Sequence, residues 1–346
     1  MGHGYGDYHP DGPGLDNGNF LGLPVVADPA VRFVAVPYDA TVSYGGGTAG
    51  GPGNVLAASR QLDVCIPGLE APWRLGFAWE ELRCASLARA GELRLVGARA
   101  VAAAEGGRAP SRDDVAALDH AGDEIARALA TAVAGALDRG EFPVVVGGEH
   151  AVALGAYRAC AARGPFGILQ IDAHMDLRPA YEGLRHSHAS VMHNALLEPG
   201  LERLTQVAVR DYAPVERDRA RREGDRVRVV LDDDLQRDLL DGRPFGGLAR
   251  EIVAGLPSRA WVSLDVDGLA PALCAHTGTP VPGGLGFAQA DRLLAELADS
   301  GREVLGLDVV EVAGAPHEFE GAVAARLAYR FAARVVSRRR AGARSR

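Results

Sequence analysis

The sequence predicts an α/β protein with a mostly parallel sheet and helices on both of its faces, in three layers. Three observations carry that expectation. Short β-rich runs alternate with helix-like segments along most of the chain. Those runs are almost continuously apolar, as in strands buried on both faces. No shift in composition marks a linker between residues 31 and 337, so the alternation reads as one catalytic-sized domain. A length of 346 residues alone would allow one large domain or two small ones.

Residues 1–30 carry enough Gly and Pro to read as an irregular N-terminal arm, with His3 and His9 as surface histidines rather than ligands. The run 31–36 is the first strand. The glycine-rich loop 37–48 after it matches neither GxGxxG nor GxxxxGK[ST], so it is expected to bend close to a pocket rather than to cradle phosphate. Pro52 opens a short helix over 55–62. Residues 63–80, with Trp73 and Trp79 among prolines, read as a long structured loop, either a lid or a segment pinned to the core. A strand is expected at 94–100. Ser111 and Asp114 approximate capping-box spacing ahead of a helix over 111–139, whose apolar stripe is Val115, Leu118, Ala121, Ile125, Leu129 and Val133. Further strands are expected at 143–146, 167–171, 206–209, 228–231, 261–266 and 304–310. Helices are expected at about 150–163, 188–197, 212–223, 246–256, 287–300 and 318–337. The basic stretch 338–346 reads as a solvated tail.

Composition narrows the function. Apolar residues at 47% and charged residues at 24% match a globular average and argue against disorder. With 45 acidic and 37 basic residues the net charge is -8, which gives no reason to expect nucleic acid and leans towards small cationic partners. No apolar run approaches the roughly 18–20 residues that span a membrane, and the first 24 residues lack the basic start and apolar stretch of a signal peptide. Cys65, Cys84, Cys160 and Cys274 show no metal-binding spacing and fit packing roles in a reducing compartment. A cytoplasmic protein is expected.

Four proposed strands end in chemistry. Asp172, His174 and Asp176 alternate after the strand 167–171, and residues two apart in an extended chain point the same way. His150 follows Gly147-Gly148-Glu149; Asp265 and Asp267 repeat the alternation; Asp308 and Glu311 close the last strand. In a parallel sheet these ends share one edge, where ligands bind. Clustered carboxylates repel one another and demand a cation. Four carboxylates (Asp172, Asp176, Asp265, Asp267) and two imidazoles (His150, His174) suit two divalent ions, whose charge they balance. Oxygen-rich ligation with some histidine favours two Mn2+, with nickel, iron and cobalt left open.

The ordered segments Gly147–His150, Asp172–Asp176, Ser187–Met192, Ser263–Asp267, Gly278–Gly284 and Asp308–Val312 resemble the signature set of the ureohydrolase (arginase and agmatinase) family, over roughly 31–337. The resemblance implies an arginase-type α/β/α fold with an eight-stranded sheet. It also implies two manganese ions and cleavage of a guanidino compound to urea and an amine by a metal-bridging hydroxide. By the same resemblance His150, Asp172, Asp176 and Asp265 hold one ion, and His174, Asp172, Asp265 and Asp267 the other, with Asp172 and Asp265 shared. His188 matches the catalytic histidine that passes a proton to the leaving amine, and Glu311 the carboxylate that pairs with the guanidinium. Family members assemble as trimers or hexamers, so a homo-oligomer is expected. The segment around His188 is similar to agmatinases, which favours agmatine. Arg178, where arginases place small polar residues, leans the same way, while His193, Gly45–Gly47 and Ala313–His317 depart from the family pattern and keep guanidinobutyrate, guanidinopropionate, arginine or a biosynthetic guanidino intermediate open. A single-zinc deacetylase of related fold would lack the paired Asp265 and Asp267, and a non-catalytic relative would have lost ligands.

Overall fold

The computed structural model describes Tyr5 and residues 8–344. Eight strands form one sheet: β1 (Val31–Val36), β2 (Phe77–Glu81), β3 (Phe142–Gly147), β4 (Phe166–Ile171), β5 (Leu201–Val209), β6 (Val227–Leu231), β7 (Arg259–Asp265) and β8 (Glu303–Val310). Their order is β2-β1-β3-β8-β7-β4-β5-β6, and every neighbouring pair is parallel. Parallel neighbours need crossover connections. Most of these are made by helices: α1 (Gly51–Ser59), α2 (Ala85–Ala88), α3 (Ala90–Glu105), α4 (Arg112–Asp138), α5 (Leu154–Ala161), α6 (Val191–Ala195), α7 (Pro214–Glu223), α8 (Asp232–Leu240), α9 (Phe245–Ala254), α10 (Phe287–Asp299) and α11 (Phe319–Arg344).

The strands feed two separate apolar cores, because their side chains alternate between faces. Phe33, Val144, Val262 and Leu307 join α1, α8, α9, α10 and α11 on one face through Val55, Leu235, Leu248, Leu293 and Leu327. Val34, Val145, Ile168 and Trp261 join α3, α4, α5 and α6 on the other through Leu93, Leu129, Tyr157 and Met192. The sheet is thus the middle of three layers, and the carboxyl ends of its strands lie along one edge. Among the described residues no helix is long and apolar enough to cross a membrane.

Several expectations need correction. Residues 94–100 lie inside α3 and are not a strand; Leu93, Gly97, Ala100 and Val101 are buried at helical spacing. Gly97 is where that helix presses on the loop after β1, since a Cβ there would sit 1.6 Å from the Ala40 carbonyl oxygen. The segment 63–80 is not loop throughout, because its end is the edge strand β2. The mixed sequence Phe-Ala-Trp-Glu-Glu hides it from a period-2 reading. Trp79 pairs with Phe33 across the strands and stacks on it at 5.7 Å, so it pins the sheet edge and is no lid.

The arm is irregular but not peripheral. Phe20, Leu21 and Leu23 are buried, and Phe20 stacks on Phe33 at 3.9 Å. His9 is exposed, and His3 lies outside the described residues. The expected tail at 338 instead continues α11 to Arg344: Arg338 pairs with Asp299, and Arg339 lies over the Phe142 ring. Ser111 occupies the N-cap of α4 without a side-chain capping bond, while Asp114 pairs with Arg99 at 2.6 Å. Helix α8, which the apolar pattern does not announce, starts on three successive aspartates suited to a helix N-terminus.

Candidate metal centre

The loops after β1, β3, β4, β7 and β8 meet at the carboxyl edge. The two glycines that end β3 are required by crowding: a Cβ on Gly148 would lie 2.0 Å from the Tyr38 carbonyl oxygen, and one on Gly147 would lie 2.8 Å from Val152 and Val310. The chain after β1 therefore crosses directly over them, with Gly148 and Glu149 donating N–H bonds of 2.9 Å to Val36 and Tyr38. His150 is turned inward, its N–H held by Glu311 Oε1 at 2.7 Å. After β7 a single turn, Val266–Gly268, carries Asp267. Gly268 lets that turn pack on the end of β4, where a Cβ would be 2.5 Å from the Asp172 nitrogen. Asp176 and Glu311 both have left-handed backbones, with φ of 54° and 60°. Such strain in non-glycine residues collects at functional sites.

All six residues expected as ligands converge. His150 Nδ1 lies 3.2 Å from Asp172 Oδ2, 2.9 Å from Asp176 Oδ2 and 3.3 Å from Asp265 Oδ2. His174 Nδ1 lies 3.0 Å from Asp267 Oδ2 and 3.5 Å from Asp172 Oδ1. Two triads of close donor atoms result, His150–Asp172–Asp176 and Asp172–His174–Asp267, with Asp172 common to both. Asp265 faces His150 and also accepts the Asp267 N–H at 2.9 Å.

The electrostatics fit cations at this place. The four aspartates are 0–4% exposed, and among the described residues no arginine pairs with any of their carboxylates. Burial disfavours charge on the imidazoles, but the carboxylates beside them overcome it. His150 is raised well above the ordinary range, and His174 is pushed up to about 12. Burial also raises the carboxylates; for Asp172 the bonds from both histidines outweigh it and hold the group low. Asp176 is pushed up to about 7 by burial and by Asp172, and Asp265 rises well above normal through burial, Asp267 and Asp172. His150 Nδ1 is fully buried with no hydrogen-bond partner, although three carboxylates converge on it. Its other nitrogen lies 2.8 Å from Ser263 Oγ, whose own proton goes to Asp308. In the neutral imidazole the proton on Nε2 would go to Ser263, so Nδ1 is the atom where a cation would take the place of the second proton. The nitrogen and oxygen donors fit one divalent ion at each triad.

Around this nest lie supporting residues, most of which motif reading passed over; Asp308, expected at the edge beside Glu311, is the exception. Asp308 faces away from the cleft and accepts bonds from Trp261, Ser263 and Tyr157 beneath His150. Gln170 donates to Asp172 Oδ2 at 2.7 Å and is itself backed by Gln206. Glu149, fully buried, takes the Thr41 hydroxyl at 2.5 Å and has its carboxyl pushed up to about 8 by burial. Gly147-Gly148-Glu149-His150 displayed Glu149 without its role, and nothing in the sequence marked Thr41, Gln206 or Tyr157.

His188 and Glu311 reach the same cleft, which Gly45, Gly278 and Thr279 also line. His188 Nδ1 stands 4.0 Å from Glu149 Oε2, and burial, reinforced by His174, brings its pKa down to about 4. Glu311 is driven well above the usual carboxylate range by burial and by nearby Glu149. The inner cleft, about 20 Å³, opens into a vestibule of about 160 Å³ walled by Arg178, Tyr181, Asp211, Tyr212 and Glu216. Arg178 is engaged there, its Nε 3.4 Å from Glu216 and its guanidinium 4.6 Å from the Tyr181 ring centre. Asp211 is exposed and has no ion-pair partner among the described residues.

The family model described as Arginase family matches residues 29–336. The chain is 32% identical over 293 residues to the N(1)-aminopropylagmatine ureohydrolase of Synechocystis sp., an alignment covering 83% of this chain and 82% of that protein. It superposes on the proclavaminate amidinohydrolase of Streptomyces clavuligerus with a TM-score of 0.71 at 22% identity, covering 93% of this chain and 98% of the other. For the agmatine ureohydrolase of Thermoplasma volcanium the TM-score is 0.69 at 21% identity, with 91% and 92% covered.

Proposed function

The chain belongs to the arginase family, and on that premise we propose that it is a two-metal hydrolase that releases urea from a guanidino compound with a cationic tail. Agmatine, or agmatine lengthened at its amine as in the name of the Synechocystis relative, is the substrate class. The observation that carries this reading is the pair of donor triads sharing Asp172, with Glu311 and His188 facing the same cleft. Manganese suits the oxygen-rich donor set, and two such ions would supply the Lewis acidity that makes water nucleophilic near neutral pH.

The chain's own groups do the rest. Glu311, with Oε1 fixed by the His150 N–H, keeps Oε2 towards the cleft to accept guanidinium N–H groups and set the plane of the substrate. His188 carries the proton to the departing amine nitrogen, and Ser187 and Tyr181 hold its ring from two sides. In the vestibule Glu216 neutralises Arg178, which leaves Asp211 as the unmatched charge beside two tyrosines. A carboxylate among aromatic rings favours an ammonium tail.

Arg178 supports a second reading. A substrate with a carboxylate tail, such as guanidinopropionate or guanidinobutyrate, would take Glu216's place on that guanidinium. Urea release from agmatine, aminopropylagmatine, arginine and both acid-tailed compounds separates the two. Preference for the amines, with KM raised in Asp211→Asn, supports the first, and preference for the acids, lost in Arg178→Ala, supports the second. A trimer or hexamer is part of the proposal and is tested by light scattering.

A further inference from the structure

A second group of donors lies outside the cleft. His276, two residues before Gly278, meets Glu320 in the first turn of α11 and Glu318 just ahead of that helix. One donor atom from each of the three lies within 4.8 Å of the other two. Glu320 is only 3% exposed. Its Oε1 accepts the His276 backbone N–H at 2.9 Å and stands 2.6 Å from His276 Nδ1. Its Oε2 is buried without any hydrogen-bond partner.

Gly314 shows where that oxygen looks. A Cβ there would lie 3.5 Å from Glu320 Oε2 and 3.1 Å from Glu318 Cβ, so both side chains border the space above the Gly314 turn. Among the described residues no arginine pairs with Glu318 or Glu320, and the one basic side chain beside Glu320 is that histidine. A buried carboxylate oxygen with neither donor nor cation is costly to maintain. An ordinary His–Glu ion pair accounts for Oε1 but leaves Oε2 unexplained.

We propose that His276, Glu318 and Glu320 form a separate site for one divalent transition-metal ion. An imidazole with two carboxylates is a donor set for zinc, cobalt, nickel or manganese. The exposed side chains of His276 and Glu318 give an ion a path from solvent and leave positions for water. The ion ties the loop around 274–279 to the start of α11. That loop also holds the cleft wall, since the Thr277 hydroxyl donates to the Glu311 carbonyl at 2.9 Å and the Gly278 carbonyl accepts the Gly45 N–H at 3.1 Å. It is a staple behind the substrate pocket and is not a member of the centre inside it.

Zinc binding by the full chain tests the site. In a chain carrying Asp172→Asn and Asp265→Asn, which removes two carboxylates that face His150 in the cleft, dialysis against Zn2+ followed by elemental analysis is expected to retain one ion per chain. Adding His276→Ala or Glu318→Gln, both at exposed side chains, should weaken that ion's binding at least tenfold with the circular dichroism spectrum unchanged. In the otherwise unaltered chain, His276→Ala should lower the saturated zinc content by one equivalent. Zinc content indifferent to His276 and Glu318 in both backgrounds overturns the proposal.

Discussion

Replacing Glu311 by Gln separates orientation of the substrate from retention of the ions. Glu311 is 6% exposed, and its Oε1 is already committed to the His150 N–H at 2.7 Å. Gln can keep that bond through its own carbonyl oxygen, but it then turns an NH2 towards a guanidinium that offers only donors. What disappears is a charge-assisted hydrogen bond, worth on the order of 2–3 kcal/mol. At about 1.4 kcal/mol per factor of ten, kcat/KM should fall roughly 30- to 150-fold. Stability should move the other way. Burial and the neighbouring Glu149 both penalise the ionised Glu311, and the neutral amide escapes both, so the metal-free variant should be no less stable than the parent. Urea-release kinetics, metal content and denaturant unfolding of the two proteins read all three quantities. Activity within threefold of the parent, or loss of metal together with activity, would refute this division of labour.

Two further substitutions test the supports of the site. Gly148→Ala forces a methyl against the Tyr38 backbone, so it should cost about 1–3 kcal/mol or more in unfolding free energy and weaken metal binding through His150; an unchanged denaturation midpoint would contradict the crowding argument. Glu141, 5% exposed between Arg32 and Arg139, has its carboxyl brought down to about 2: burial alone would raise it, and the two guanidiniums overcome that. A depressed folded-state pKa gives stability that is full above the unfolded value near 4.5 and is lost as pH falls towards 2. Glu141→Gln should therefore cost on the order of 3 kcal/mol at pH 7 and progressively less from about pH 5 to pH 2, followed by chemical unfolding across that range.

What the sequence made legible follows physical lines. The central strands β3, β4, β7 and β8 are almost continuously apolar because both faces are covered, and their expected positions differ from the structure by one or two residues. The edge strand β2 escaped because only Phe77 of its five residues is fully buried. Helix α3 was misread at 94–100, where a short run of Leu and Val masks an i, i+4, i+7 burial pattern. At the site, alternation along the chain exposed Asp172, His174 and Asp176, and again Asp265 and Asp267. The supporting shell stayed hidden because Thr41, Gln206 and Tyr157 come from distant segments and act only through contacts that folding creates.

The most direct test of the central claim is urea release from agmatine as manganese is titrated into the metal-stripped protein, run beside Asp172→Asn. Asp172 is common to both donor triads. Activity should therefore rise with manganese in the parent protein and stay near background in the variant, which should also fail to retain ions at the cleft. A parent protein that holds its manganese yet releases urea from neither agmatine nor any other guanidino compound would contradict the account.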